Sequence, residues 1–138
     1  KWAAIAALLW SSCSFAECNL TGSEPGALAV FSSLIFPSSA GRITVTNDSG
    51  GTHTVSIPAI TNLDQPVKGV DLDGFLTLTP QVISGPNAGA AFGGSDGGAR
   101  TLVLSNAGTD VISLAVQGNL SSIALSGMYK VTASIFCN

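Results

Sequence analysis

Charge is scarce in this chain, and so are long apolar runs. Only 9% of the 138 residues are charged, with eight acidic residues against five basic ones. The basic residues are scattered, whereas nucleic-acid binding needs them clustered on one surface, so we expect no nucleic-acid partner. No stretch approaches the roughly 18 consecutive apolar residues of a transmembrane helix, so we expect no membrane span.

The chain also has little of what catalysis and metal binding need. His53 is the single histidine, and no nucleophile-elbow sequence accompanies it, so we interpret it as a structural residue. Asp71 and Asp73 share one face of a predicted strand, but the other oxygen ligands of a calcium loop are missing. A solvated strand face is the preferred interpretation, with calcium binding as the alternative. We therefore expect no catalytic residue, no metal, no cofactor and no enzymatic activity.

The first sixteen residues have the pattern of a secretory signal. Lys1 precedes a short apolar stretch, residues 2–10 (WAAIAALLW), and Ser14 and Ala16 are small residues of the kind found before a cleavage site. We predict cleavage after Ala16, so that residues 1–16 are the signal. The alternative is a buried helix or strand in the same stretch. The signal predicts a secreted, periplasmic or cell-surface protein.

The cysteines agree with that cleavage. Three cysteines are an odd number for an exported protein, and loss of the signal removes Cys13. Cys18 and Cys137 remain, and we predict that they form a disulfide between the two ends of a single domain, residues 17–138. Closing a loop on the order of 100 residues is worth roughly 4–5 kcal/mol in the loop-entropy account. A lipoprotein acylated at Cys13 and a pair of free thiols are the alternatives.

Apolar residues after the signal recur with a period of two. The clearest stretch is residues 111–138, which ends in an alternation from Tyr129 to Cys137 that only Phe136 interrupts on its polar side. This pattern predicts a strand with one buried face. Turn dipeptides divide the stretch, so we predict a β-meander that begins at residues 101–104 and against which the rest of the chain packs.

Other segments show the same period. Residues 42–47 and 52–57 alternate on either side of turn residues 47–51, which predicts a hairpin, and Pro58 is expected to end the second strand. Residues 27–36 are apolar on both parities, which predicts one buried strand.

The middle of the chain is less regular. Residues 70–79 alternate again, with Gly74 as the expected site of a bulge. Residues 84–100 form a Gly- and Ala-rich loop, and a loop of this length in a compact domain is typically mobile or functional. Its segment 93–98 is one imperfect copy of a calcium-binding repeat and lacks the lysine of a phosphate-binding loop, so we interpret it as surface loop. Seven to eight short strands without a helical period predict an all-β, antiparallel β-sandwich.

Three stretches resemble a bacterial secreted family, the domain-of-unknown-function family four-four-zero-two, which is pilin-like and akin to spore coat protein U. They are residues 43–58 (ITVTNDSGGTHTVSIP), residues 70–75 (VDLDGF), and the closing pair 114–120 (LAVQGNL) and 126–135 (SGMYKVTASI). The resemblance implies an immunoglobulin-like or pilin-like sandwich at the cell surface that is able to polymerise. It brings no catalytic residues.

Two functional hypotheses follow. The first is an exported, non-enzymatic surface or structural protein for cell-surface assembly or adhesion, joined to other copies or surface subunits by strand addition. Residues 27–36 are its candidate pairing strand, and an ordinary central strand is the alternative. The second hypothesis is a carbohydrate- or ligand-binding module that uses loop 84–100, with Phe92, Asp96 and Arg100 as candidate contacts.

Overall fold

The chain consists of antiparallel β-strands throughout the part that the structure describes. The predicted all-β class is therefore confirmed. The predicted signal, residues 1–16, lies outside the described residues. The structure is a computed structural model, and it describes residues 18–60, 63–64, 75–95, 97–119 and 130–138.

Twelve strands are present in these residues, and eight of them contain at least five residues. Those eight agree with the predicted number, and the other four are two-residue pairings. In chain order the strands are β1 (Cys18–Glu24), β2 (Ala27–Phe31), β3 (Leu34–Ser39), β4 (Gly41–Asn47), β5 (His53–Ile57), β6 (Leu63–Asp64), β7 (Phe75–Ser84), β8 (Gly93–Gly94), β9 (Arg100–Leu104), β10 (Gly108–Asn119), β11 (Lys130–Val131) and β12 (Phe136–Cys137).

The first sheet begins with one long, bent ladder, in which β1 pairs with β4 and β2 pairs with β3. The bend lies where Pro25 and Gly26 separate β1 from β2 and Ala40 separates β3 from β4. A Cβ atom on Gly26 would lie 2.6 Å from the carbonyl oxygen of Ser39, so only glycine allows the two backbones to approach this closely. The Ser39 hydroxyl accepts a hydrogen bond from the amide of Ala27 at 3.0 Å and holds the bend.

Strand β10 is the central strand of this sheet. It pairs with β4 and then β3 along one side and with β7 along the other. Its inward-facing residue Ile112 is fully buried. The predicted strand in residues 70–79 is present as far as the structure describes it, since Leu76 and Leu78 face inward on β7 and residues 70–74 lie outside the described residues. Strand β7 then continues through Pro80, which a strand tolerates at a sheet edge.

The prediction of a single buried strand over residues 27–36 is wrong. Ser32 and Ser33 form a two-residue turn, and β2 and β3 fold back on each other with Phe31 opposite Leu34. Ser32 adopts a positive φ of 56°, which a non-glycine residue rarely does. The hairpin explains the apolar residues on both parities, because the inward parity switches at the turn. Even-numbered Val30 faces inward on β2 and odd-numbered Ile35 faces inward on β3, whereas Phe31 and Phe36 face outward.

The predicted hairpin between β4 and β5 is also wrong, although the turn itself is present. The Asn47 side chain accepts hydrogen bonds from the amides of Ser49 and Gly50 and donates one to the carbonyl of Gly51 at 2.8 Å. Strand β4 belongs to the first sheet, however, and β5 belongs to the second, whose order is β12-β5-β9-β8. The turn is therefore a corner between sheets, because the apolar faces of β4 and β5 are packed toward each other rather than side by side.

The same alternation between sheets overturns the predicted closing meander. Strand β9 pairs with β5 in the second sheet, β10 lies in the first sheet, and β12 returns to pair with β5. Residues 120–129, which the prediction also covered, lie outside the described residues.

One buried apolar cluster draws on both sheets. Strands β4, β7 and β10 contribute side chains from the first sheet, and β5 and β9 contribute them from the second. This shared core is consistent with the predicted sandwich, and burial of each such side chain stabilises the fold by about 1.5–3 kcal/mol. The cluster consists of Ile43, Val45, Val55, Ile57, Leu78, Val82, Leu102, Leu104 and Ile112.

Candidate assembly groove

An apolar groove of about 560 Å³ runs along one seam between the sheets, and we call it the seam groove. Its floor is formed by inward-facing side chains of the first sheet, including Ile43, Leu78 and Leu114. Strand β1 forms one wall with Leu20, and residues 131–135 form the opposite wall. The volume falls within the range of about 300–1,000 Å³ that is typical of binding sites.

The groove is open because the second sheet ends early at this seam. Strand β5 stops at Ile57, where Pro58 follows and cannot donate a ladder hydrogen bond. The C-terminal residues pair with β5 only at Phe136 and Cys137 and through two hydrogen bonds between Thr54 and Asn138, of 2.8 and 3.0 Å. Residues 132–135 extend beyond the end of β5 and have no ladder partner within the described residues.

The side chains of this wall nevertheless keep the predicted period of two. Val131, Ala133 and Ile135 are half-buried, and the residues between them are exposed. Phe136, the one apolar residue on the polar side, is 54% exposed. The predicted buried and exposed faces are confirmed, although the segment between β11 and β12 is extended chain without a ladder.

The wall formed by β1 contains an exposed apolar side chain on the strand face that points toward the core. Leu20 lies opposite Val45 in the ladder, so it shares the inward face, and yet it is 44% exposed. A register shift between Leu20 and Gly22 interrupts β1 at this point. Among the described residues, no part of the second sheet covers Leu20. Its apolar side chain therefore remains partly exposed.

A disulfide closes one end of the seam. Cys18 on β1 and Cys137 on β12 are joined, with their Cα atoms 5.7 Å apart and a sequence separation of 119. Both cysteines are half-buried and pack against the shared core. The bridge therefore links the edge of the first sheet to the edge of the second, and the seam groove opens two residues farther along each strand, at Leu20 and Ile135.

These features define what the seam groove is able to recognise. The apolar floor accommodates apolar side chains, and the wall at residues 132–135 presents backbone groups that have no ladder partner among the described residues. An extended peptide segment has the matching features, since its alternate side chains point one way and its backbone groups pair along an edge. Residues 27–36, the predicted pairing strand, form the β2–β3 hairpin, and Leu28 of that hairpin also lines the groove.

A buried polar cluster lies at one end of the shared core. Asp110 is fully buried, and its carboxylate accepts hydrogen bonds from the backbone amide of Asn87 at 2.9 Å and from Asn87 Nδ2 at 2.7 Å. The Asn87 Oδ1 atom in turn accepts from the amides of Ser105 and Asn106, each at 3.3 Å. These hydrogen bonds hold Asn87, and with it the start of loop 84–100, against β10 and the segment that follows β9.

The same loop borders a smaller pocket of about 340 Å³, which we call the loop pocket. Phe92 and Arg100 line it together with Gln81 of β7. Phe92 also packs against the shared core, so its ring is partly used for folding. Asp96, the third residue predicted for ligand contact, lies outside the described residues.

His53 lies in the interior of the fold. It is buried on the inward face of β5 opposite Leu104, and its Nε2 atom has no hydrogen-bond partner in the part of the chain that the structure describes. The described residues contain no group of three or more His, Cys, Asp or Glu side chains that could hold a metal ion. Asp71 and Asp73 lie outside those residues, so the calcium alternative stays a prediction.

The chain was compared with protein-family models and with curated proteins, and its described residues were examined for a membrane-spanning helix. No protein-family model and no curated protein matches the chain. Across residues 18–60, 63–64, 75–95, 97–119 and 130–138, no helix has the length and apolar character needed to cross a bilayer.

Proposed function

We infer that this chain is an exported, non-enzymatic surface or structural protein that assembles with other subunits by accepting an extended segment in its seam groove. The single observation that carries this inference is the open apolar seam between β1 and residues 131–135. A β-sandwich that is closed on both sides would bury Leu20 and pair the backbone of the opposite wall. A subunit that leaves both uncovered gains stability when a partner strand covers them.

Export is part of the same proposal. The signal pattern in residues 1–16 supports it, and so does the disulfide, because such bridges persist in oxidising compartments outside the cytosol. The low content of charged residues and the resemblance to a pilin-like secreted family point to the same location.

The test uses the full chain, expressed with residues 1–16 in a secreting bacterial host. We expect the protein outside the cytoplasm, and we expect unboiled gels to show a ladder of species that boiling converts to one band. Replacing Leu20→Asp places a charge at the rim of the groove and should abolish the ladder. A carboxylate opposes the burial that the apolar floor favours.

Val103→Asp is the matched control. Val103 is an exposed apolar residue like Leu20, at 54% against 44%, but it lies on β9 away from the groove. The control should keep the ladder, and circular dichroism should show that both variants are folded. A wild-type protein that stays monomeric at every concentration, without a ladder, would show that the proposal is wrong.

The loop pocket supports a second candidate function, the binding of a carbohydrate or another small ligand. Replacing Gln81→Trp would fill this pocket from an exposed position on β7, whereas Gln117→Trp, on an exposed position of β10, would leave it open. A glycan-array signal that disappears in the first variant and persists in the second is the expected result. The absence of any wild-type signal would dispose of this candidate.

A further inference from the structure

The hairpin of β2 and β3 presents an apolar outer surface, which we call the hairpin face. Phe31 is 73% exposed, Leu34 is 49% exposed and Phe36 is 44% exposed. The cross-strand pairs bring them together, because Phe31 lies opposite Leu34 and Ala29 lies opposite Phe36. Single exposed apolar residues are ordinary, but an exposed cluster of this kind marks an interaction surface.

The backbone edge of β2, beside this face, is also without the usual protection against pairing. In the described ladders β2 pairs with β3 alone, so alternate residues of β2 direct N–H and C=O groups away from the sheet. Proteins usually protect such an edge with charged residues or proline. Residues 27–36 (ALAVFSSLIF) contain neither.

The charge distribution permits an identical copy as the partner at this surface. The chain has a formal net charge of −3, so two copies repel each other over most of their surfaces. The hairpin, residues 27–40, has no charged side chain and is therefore a place where two copies can meet without like charges facing each other.

The register of β2 completes the argument. A two-fold axis at Ala29 would pair β2 antiparallel with its own copy and place Phe31 of one chain opposite Ala27 of the other. The outward-facing residues of β2 are Ala27, Ala29 and Phe31, so each large ring meets a small side chain. An isologous contact needs this self-complementarity.

We propose that the β2 edge, with Phe31 of the hairpin face beside it, forms a two-fold interface between two copies of this chain. The inference deepens the proposed assembly role and rests on it, but it uses the edge and outer side of the hairpin, whereas Leu28 and Pro37 line the seam groove from the inner side. Phe31 contributes less than the roughly 200 Å² of a fully buried aromatic side chain, because edge-to-edge pairing leaves the outer face of the sheet in solvent. A standard interface takes about 800 Å² from each partner, so we expect a weak dimer whose population rises with concentration.

A cross-linking experiment tests both the contact and its register. Ala29→Cys places a thiol on the two-fold axis, where directly opposed Cβ atoms are about 4.5–5.5 Å apart. Ala27→Cys is the matched control on the same strand, because the two copies of residue 27 would lie about 13 Å apart at 3.3–3.4 Å per residue. Under mild oxidation we expect Ala29→Cys to form the covalent dimer at least tenfold faster than Ala27→Cys.

Sedimentation equilibrium of the otherwise unmodified chain provides the second measurement. Phe31→Ser should weaken dimerisation at least about tenfold, since each copy loses the burial of one large ring. Leu20→Asp should leave the dimer unchanged, because it alters only the seam groove. Equal cross-linking rates for the two cysteine variants, or a wild-type monomer at every concentration, would overturn the inference.

The remaining outcomes separate the two proposals and the other occupants. A dimer lost in Leu20→Asp but kept in Phe31→Ser would place the contact at the groove, which supports the proposed function and rejects the hairpin interface. A monomer that instead sediments with phosphatidylcholine–phosphatidylglycerol vesicles through Phe31 would identify a lipid surface as the occupant and reject the dimer.

Discussion

The buried carboxylate of Asp110 should be among the most sensitive positions of the fold. Replacing Asp110→Ala removes the acceptor of two hydrogen bonds, from the Asn87 amide at 2.9 Å and from Asn87 Nδ2 at 2.7 Å. Hydrogen bonds to a charged group contribute about 1.5–3 kcal/mol each, and donors left unsatisfied in a buried site add their desolvation cost. Asn87 Nδ2 keeps a second acceptor, the Asn106 carbonyl at 3.2 Å, which limits the loss. We therefore expect the free energy of unfolding to fall by about 3–4 kcal/mol.

Urea unfolding followed by far-UV circular dichroism measures this change, which is a large share of the roughly 5–15 kcal/mol that stabilises a domain. Asp110→Asn keeps the shape of the side chain and should cost about 1–2 kcal/mol, so the reasoning stays testable if the alanine variant does not fold. The control is Asp48→Ala, because Asp48 accepts one exposed hydrogen bond from Asn19 at 3.1 Å, and its loss should cost less than about 0.5 kcal/mol. A loss under about 1 kcal/mol for Asp110→Ala, or full additivity with Asn87→Ala in a double-mutant cycle, would refute the reasoning.

Three further predictions concern the loop glycines, the disulfide and the hairpin turn. Gly85→Ala should destabilise the protein by more than about 2 kcal/mol in urea, since a Cβ atom there would meet the Thr109 carbonyl. Gly89 is the control, because its φ is also positive but no atom lies within 4 Å of a Cβ atom built there, and Gly89→Ala should cost about 1 kcal/mol. Replacing both disulfide cysteines with serine should lower the melting temperature and cost up to about 4–5 kcal/mol; an unchanged melting temperature would contradict that expectation. Ser32→Gly should stabilise the hairpin by up to about 1 kcal/mol in the same urea assay, because glycine adopts positive φ without strain. A destabilised protein would contradict this expectation.

The sequence predicts well whatever depends on a single strand. The alternation in residues 42–47 and 52–57 identifies inward residues correctly, since Val45, Val55 and Ile57 are fully buried. The period of two survives even in residues 132–135, which have no ladder partner among the described residues. A period of two reports which side of a strand is apolar, and burial follows directly from it.

The pairing partner of each strand is harder to predict from the sequence, because it depends on residues that are far apart in the chain. Ser32 and Ser33 are not a strong hairpin signal, so an apolar run looked like one strand rather than two. The turn at Asn47 gives no sign of whether the next strand lies beside β4 or across the core from it. One clue to the polar cluster was present, since Asp110 stands in the same parity as Ile112 and Leu114 and so had to be buried with partners.

The seam groove could not be predicted, because it arises from a mismatch in length between elements rather than from a motif. It exists because β5 stops at Pro58 while residues 131–135 continue past it, and that relation is fixed only by the register of β12 on β5. The apolar pattern of residues 27–36 predicts strand addition there, and in the structure these residues pair with each other as the β2–β3 hairpin.

The hairpin face and the seam groove have different consequences for assembly. A two-fold contact between hairpins uses the same surface on both copies, so it is satisfied in a dimer and cannot extend further. A groove that accepts a segment from a different part of the next subunit is heterologous, and such contacts close into rings or continue as filaments. The seam groove is lined by the inward-facing Leu28 and Pro37 of the hairpin, whereas the two-fold contact uses the β2 edge and the outward-facing Phe31, so the two contacts use different sides of the hairpin. If the groove is filled by a neighbouring copy, the groove contact determines how many copies join. Leu20→Asp should then leave two-fold dimers as the largest species. Phe31→Ser should leave assemblies that are joined through the groove alone.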